Sequence, residues 1–340
     1  MNELQTLKQW TVVVADTGDL AQVALHRPQD ATTNPSLVLK AMQRPESAQL
    51  ISTIRSRYPK ASMDELVDRL LVALGSSILE LIPGRVSTEV DARLSFDTTS
   101  TIVRAKRLIQ MYASEGVDSS RVLIKIASTW EGIQAARQLE EEGIHTNLTL
   151  LFNFAQAIAC AHANVRLISP FVGRIYDWHK KNQAQLWDES AFSGVNDPGV
   201  RSVTNIYQFF KAYGVKTEVM GASFRNTGQI KALAGCDLLT ISPELLDQLS
   251  QAPAQTDKQL LAVGFERVLT PPVDFLQAKQ AKFEPLRAIA IQPEDALRAG
   301  FKESEFRLTL NEDAMASEKL AEGIRSFCSD TLKLEQFLRA

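Results

Sequence analysis

The sequence predicts an α/β fold: a (β/α)8 barrel of the TIM type with additional helices. Eight short apolar, β-branched runs recur over roughly the first 250 residues, the usual length of such a barrel. Stretches of helical period separate them, and strands that alternate with helices imply a parallel sheet. Helix-start signals then follow several of the runs directly.

The first run is "WTVVVA", residues 10–15, and the second is "DATT", residues 30–33. The second is weak by propensity and is kept because "NP" follows it: Asn34 suits an N-cap and Pro35 a first helical position. "RVSTEV" (85–90) and "VLIKIA" (122–127) come next. After the latter, "STWE" reads as a capping box with Ser128 as N-cap and Glu131 three residues on. Trp130, Ile133, Ala136 and Leu139 then keep helical spacing, and Gly143 stops the helix. "NLTLLF" (147–152) is followed by the same logic in Asn153 and Gln156. "VRLISPF" (165–171), "TEVMGA" (217–222) and "DLLTIS" (237–242) complete the eight, with Asn226 and Gln229 opening the helix after the seventh. Residues 250–274, with "SQAPAQTD" and "LTPPVD", read as loop. From Asp313 to the end the chain reads as an extra helix on the barrel, with Leu320, Ile324, Phe327 and Phe337 as its apolar face. The whole, residues 1–340, is taken as one barrel domain.

Composition excludes several functions. With 37 basic and 40 acidic residues the net charge is −3, so no field of one sign attracts nucleic acid or an anionic membrane. The longest apolar piece, "LLVALGSSILELI", has 13 residues with Glu80 inside it, too few to span a bilayer. The N-terminus does not read as a secretory signal. Cys160, Cys236 and Cys328 stand far apart without CxxC or Cys/His spacing, as reduced thiols do in a cytosolic protein. No Walker A, GxGxxG or HExxH is present, and the four histidines lack ligand spacing, so neither a nucleotide, a cofactor nor a metal is expected.

Barrel active sites form at the C-terminal ends of the strands. There the sequence puts Asp16, Thr32 to Asn34, Glu89 and Asp91, Lys125, Asn147 and Thr149, Ser169, and then Ser223 and Arg225. Lys125 lies among apolar neighbours in "VLIKIA", where a buried ammonium is costly. Strand alternation puts Leu123, Lys125 and Ala127 on one face and the β-branched Val122, Ile124 and Ile126 on the other, against helices. A lysine pointing into a barrel serves as a fixed charge or as an amine nucleophile. The nucleophile must be neutral; an ordinary lysine titrates near ~10.4, so about one in 2,500 is neutral at pH 7. "GASFRNTG" (221–228) sets Ser223 and Arg225 before a helix start, where barrels often hold phosphate, and "SPFVGR" adds Arg174. Singly, each of these residues has an ordinary reading: Asn34 as a cap, Asp16 as a turn former, Glu89 as a partner of Arg85 or Arg93, and Ser223 and Arg225 as surface loop. Their shared position at one end of successive strands is what favours a site.

The stretches "VVADTGD", "PQDATTNPSLVLKA", "PGRVSTEVDARLSFDT", "VLIKIASTWEGI", "NLTLLFNFAQA", "LISPFVGRI", "VMGASFRNTGQI" and "KLAEGIRSF" resemble the class I transaldolase family over nearly the whole chain. Only residues 252–302 depart from its pattern, in being longer. The resemblance implies transfer of a dihydroxyacetone unit from a ketose phosphate (sedoheptulose 7-phosphate or fructose 6-phosphate) to an aldose phosphate (glyceraldehyde 3-phosphate or erythrose 4-phosphate). It makes Lys125 the Schiff-base lysine and Asp16 the base for the C4 hydroxyl. Glu89, with Thr149 and a water, becomes the proton shuttle of carbinolamine dehydration. Asn34 and Asn147 orient the dihydroxyacetone hydroxyls, Thr32, Ser169 and Phe171 line the pocket, and Arg174, Ser223 and Arg225 clamp phosphate. It further implies a cytoplasmic homodimer of the pentose phosphate pathway. A class I aldolase releasing free dihydroxyacetone, a pyridoxal-phosphate barrel and a non-catalytic sugar-phosphate-binding barrel are the alternatives.

Overall fold

The computed structural model describes residues 1–183, 187–255, 257–260 and 293–339. Its strands are β1 (Val12–Asp16), β2 (Asp30–Thr32), β3 (Val86–Glu89), β4 (Val122–Ala127), β5 (Thr146–Leu151), β6 (Leu167–Pro170), β7 (Glu218–Gly221) and β8 (Leu238–Ile241). All pair in parallel in sequence order, and β8 closes on β1 through Val12–Leu238 and Val14–Thr240. This is the predicted (β/α)8 barrel. The short β2 is fixed from outside its own propensity. Ala31 and Thr32 pair with Val86 and Ser87, and the Asp30 carboxylate accepts from the Arg85 backbone N–H at 2.9 Å and from Arg85 Nε at 3.0 Å.

The two faces of β4 divide as alternation requires. Val122, Ile124 and Ile126 are buried in the large core between barrel and helices, which also takes in Ile133, Ala136 and Leu139 of the helix Trp130–Glu141. Leu123 points inward and packs with Val14, Leu167, Met220 and Leu238 as an apolar plug. One pleat higher, the inward positions are polar. Lys125 therefore sits in a barrel interior whose floor is hydrocarbon.

Local signals hold with three corrections. Asn34 caps Pro35–Met42 through Leu37 N–H at 2.9 Å, and Asn153 with Gln156 forms a full capping box. In "STWE", however, the cap is Thr129, whose Oγ1 accepts from Gly132 N–H at 2.9 Å. Ser128 is still tied to β5: its N–H and its hydroxyl both donate to the Thr149 carbonyl at 2.8 Å. The helix thus starts one residue later than read, and the Glu131 carboxylate turns away to Arg307. Asn226 caps Thr227–Ala232, but Gln229 accepts from the Arg225 N–H instead of reaching back to the cap residue.

The third correction concerns the C-terminal helix, Ala314–Arg339. It lies across the mouth of the barrel, where Leu320, Ile324 and Phe327 pack with Phe152, Phe171 and Ala222 from the ends of β5, β6 and β7. Phe337, placed on the apolar face by sequence, is 37% exposed, while Leu334 and Leu338 are buried. The buried stripe 320–324–327–331–334–338 keeps the helical period, and position 337 falls off it. Leu150 adopts a left-handed φ of 53° at an irregularity in the β5–β6 pairing, which sends its side chain up against this helix. Of the stretch expected to be loop, residues 250 and 251 end the helix Pro243–Gln251, and 261–274 lie outside the described residues. Residues 293–299 of the divergent segment are helical.

Candidate active site

Inward-facing side chains of the strand ends meet in one pocket at the mouth. It is lined by Asp16, Thr32, Asn34, Lys125, Ser169, Phe171, Arg174 and Ser223, all named from sequence, and by Met220, Ala222, Thr240 and Phe327. Lys125 is only 5% exposed. Its register partners on either side are Glu89 and Asn147. Lys125 Nζ donates to the Thr33 carbonyl at 3.3 Å and lies 3.5 Å from Glu89 Oε2, an ion pair longer than a direct hydrogen bond.

Glu89 is 4% exposed, and burial pushes its carboxyl up to about 7 although Lys125 opposes the shift. The ordinary reading of Glu89 as a partner of Arg85 or Arg93 fails: Arg85 pairs with Asp30 and Glu218, and Arg93 with Asp91 and Glu335. Asp91 is thereby committed to Arg93. Asp16, at the end of β1, accepts from the Thr32 hydroxyl at 2.9 Å, and Thr32 in turn meets Thr240 at 2.9 Å. Asn147 Nδ2 donates to Ser87 Oγ at 3.0 Å, and Ser169 donates to Asn147 Oδ1 at 2.6 Å. Thr149 is fully buried beside Ala127 in the register, and its Oγ1, like Glu89 Oε2, has no hydrogen-bond partner among the described residues. Since Asn34 Oδ1 serves the helix cap, its amide N–H groups are what it can offer to the pocket.

The basic rim comes from two loops that are tied together. Val172 and Gly173 N–H donate to the Ala222 and Ser223 carbonyls at 2.8 and 2.9 Å. A Cβ at Gly173 would lie 2.2 Å from the Ser223 carbonyl oxygen, so only glycine permits that approach. Ser223 itself has φ 62°. Arg174 is half-buried and lines the pocket; burial and the neighbouring Arg225 charge hold its guanidinium below its ordinary value. Arg225 stands farther out. It does not line the pocket and is engaged by Asp177 at 2.7 Å, while its Nη1 donates to Ser223 Oγ at 3.3 Å.

Sequence reading put Thr33 at the strand end without a role, and its carbonyl anchors the lysine; it missed Ser87 and Thr240, which orient Asn147 and Thr32. Ser87 lies two residues before Glu89 on β3, so alternation could have found it, whereas no inward position on β8 was available from sequence to point to Thr240. Phe327 had been assigned to helix packing, and only the path of the chain brings it to the pocket.

Among the described residues no helix is long and apolar enough to cross a membrane, and no cluster of three His, Cys, Asp or Glu side chains could hold a metal. A family model described as transaldolase/fructose-6-phosphate aldolase matches residues 13–338. A protein named transaldolase from Methylibium petroleiphilum is 54% identical over 342 aligned positions, which cover 100% of this chain and 99% of its own. With a buried lysine and carboxylate paired at the mouth of a closed barrel, and with a match of this extent, the chain belongs to the transaldolase/fructose-6-phosphate aldolase family.

Proposed function

We infer that the site carries out transaldolase chemistry, moving a three-carbon dihydroxyacetone unit between sugar phosphates through an imine on Lys125. The observation that carries this reading is the buried Lys125–Glu89 pair at 3.5 Å, with Asp16 lining, from β1, the pocket that Lys125 also lines. A carboxyl titrating at about 7 can accept a proton from the ammonium and return it later, which is what imine formation demands.

The reaction then runs as follows. The neutral Lys125 amine attacks the ketose C2 carbonyl to give a carbinolamine. Glu89, with Thr149 and a water, protonates the departing hydroxyl, and the protonated imine forms. Asp16 takes the proton of the C4 hydroxyl. The C3–C4 bond breaks, its electron pair moves into the imine to form an enamine, and the shortened aldose phosphate leaves. A second aldose phosphate enters, the enamine attacks its carbonyl carbon, Asp16 returns the proton, and hydrolysis of the imine frees the new ketose phosphate. Asn34 and Asn147 orient the hydroxyls of the bound unit, and Thr32 and Ser169 hold Asp16 and Asn147 in place. Arg174, Ser223 and Arg225 receive the phosphate, a contact remote from the reacting bond.

The family description also covers an aldolase that frees its three-carbon product. Transfer is favoured here because the Phe171 ring, packed edge to face on Phe152 at 5.3 Å, presents hydrocarbon to the pocket at its position, where no hydroxyl of that side chain activates water. Assembly as a cytoplasmic homodimer belongs to the same reading, and light scattering of the purified protein tests the dimer. The decisive experiment is borohydride reduction with fructose 6-phosphate and peptide mass mapping. A three-carbon adduct on Lys125 is the expected product; an adduct on another lysine, with Lys125 unmodified, overturns the mechanism.

A further inference from the structure

Arg174 is held in an unusual way. Its guanidinium carbon lies 5.1 Å from the centroid of the Phe171 ring and 5.8 Å from that of Phe327. Phe171 comes from the end of β6, and Phe327, which is 2% exposed, comes from the C-terminal helix. One turn before Phe327, Gly323 faces the same arginine: a Cβ there would stand 3.3 Å from Arg174 Nη1 and 2.6 Å from Leu150 Cδ2. Glycine thus lets the helix settle deeply enough for the Phe327 ring to reach the pocket.

The two arginines of the rim differ in their partners. Arg225 is paired with Asp177, whereas the Arg174 guanidinium makes no direct ion pair or hydrogen bond among the described residues, and the carboxylates of Glu322, Glu89 and Asp16 act on it only at longer range. Aromatic faces hold a cation in place without neutralising it. A carboxylate in the same place would orient the guanidinium equally well but would compete with any incoming anion. The rings also keep water from the guanidinium faces and leave its N–H edge, the part that binds phosphate oxygens, unspent.

We propose that Phe327 is a positioning residue, and that the C-terminal helix sets the Arg174 guanidinium between Phe327 and Phe171 as a pre-oriented receptor for the substrate's phosphate. This rests on the reading of Arg174 as a phosphate contact. It makes the last helix part of the substrate site and explains why the strand ends alone do not complete it.

The test compares fructose 6-phosphate with fructose as donors for the wild type, Phe327→Leu, Arg174→Ala and the double variant. A ring–cation contact shielded from water contributes enough to change binding about five- to tenfold. Phe327→Leu should therefore raise KM for fructose 6-phosphate by about five- to tenfold more than for fructose, with a smaller change in kcat. In the Arg174→Ala background the same substitution should add little to that difference, because Phe327 acts through the arginine. Equal losses on both donors, or full additivity in the double variant, overturn the proposal. If Arg174→Ala discriminates between the donors and Phe327→Leu does not, the positioning role fails while the phosphate reading stands. If Arg174→Ala itself weakens both donors equally, the phosphate reading falls and the proposal with it. Should Phe327→Leu melt far below the wild type, Phe327→Met, which fills a similar volume without a ring, is read in the same way.

Discussion

Replacing Glu89 by glutamine separates the two carboxylates at the barrel mouth. Glutamine keeps the volume of the side chain and its hydrogen-bonding oxygen but cannot donate or take up a proton in the working pH range. In the native site burial pushes the Glu89 carboxyl up to about 7, so near neutral pH it is roughly half protonated and can both give and accept. General acid–base groups contribute about 10²–10⁴-fold, and imine formation in Glu89→Gln should slow by that factor. Asp16 is untouched, so carbinolamine should accumulate while any imine that forms is cleaved normally. The pH dependence carries a sign. Dehydration needs the acid form, so the wild-type rate of imine formation should fall above about pH 7, and that limb should vanish in the variant. Stability moves as well. A carboxyl whose folded value lies above its ordinary 4.5 contributes stability below 4.5 that is lost as pH rises through about 7. Relative to Glu89→Gln, the wild type should lose on the order of 3 kcal/mol across that window. Rapid-quench borohydride trapping with mass spectrometry measures the rates, and urea titrations at several pH values measure the stability. Trapping of Glu89→Gln at the same rate as Asp16→Asn, or a pH limb that survives the substitution, would refute the assignment.

Asp16→Asn removes the proposed C4 base but leaves the amine able to form an imine; it should still be trapped by borohydride, yet turn over about 10²–10⁴-fold more slowly. Failure to trap any adduct contradicts that role. Arg225→Ala should lower catalytic efficiency with fructose 6-phosphate by about tenfold, near the low end for a charge-assisted contact, because Arg225 must first exchange Asp177 for phosphate. An equal loss with fructose would mean that the arginine does not read phosphate. Thr129→Ala should cost about 1 kcal/mol as a lost N-cap, whereas Glu131→Gln should cost less, since its partner is a surface arginine and not the helix start. Equal costs in urea denaturation would restore the capping box read from "STWE".

Much of this protein is written in local patterns. The eight strands follow from short β-branched runs between helical periods, and even the three-residue β2 was legible through the Asn34–Pro35 helix start behind it. Alternation alone turned Lys125 inward and Ile124 and Ile126 outward, because side chains of a strand cannot choose their face independently. A parallel barrel then gathers the polar strand ends at one mouth, which is why strand position alone points to Asp16, Thr32, Asn34, Lys125, Ser169, Arg174 and Ser223, while Phe171 came from the family resemblance. Their roles, by contrast, came from the family resemblance.

Three features needed the tertiary structure. Which arginine faces the pocket depends on competition among partners: Asp177 takes Arg225, and two rings hold Arg174, though both arginines follow strand ends in the same way. The start of the helix after β4 moved by one residue because Ser128 is tied to the Thr149 carbonyl on the neighbouring strand, a partner distant in sequence. The last is the course of the C-terminal helix. Its period showed an apolar stripe, but an apolar stripe states only that something must cover it. Leu150 in a left-handed conformation and Gly323 without a side chain decide that the stripe lies on the barrel mouth, because only their close approach lets Phe327 descend to Arg174.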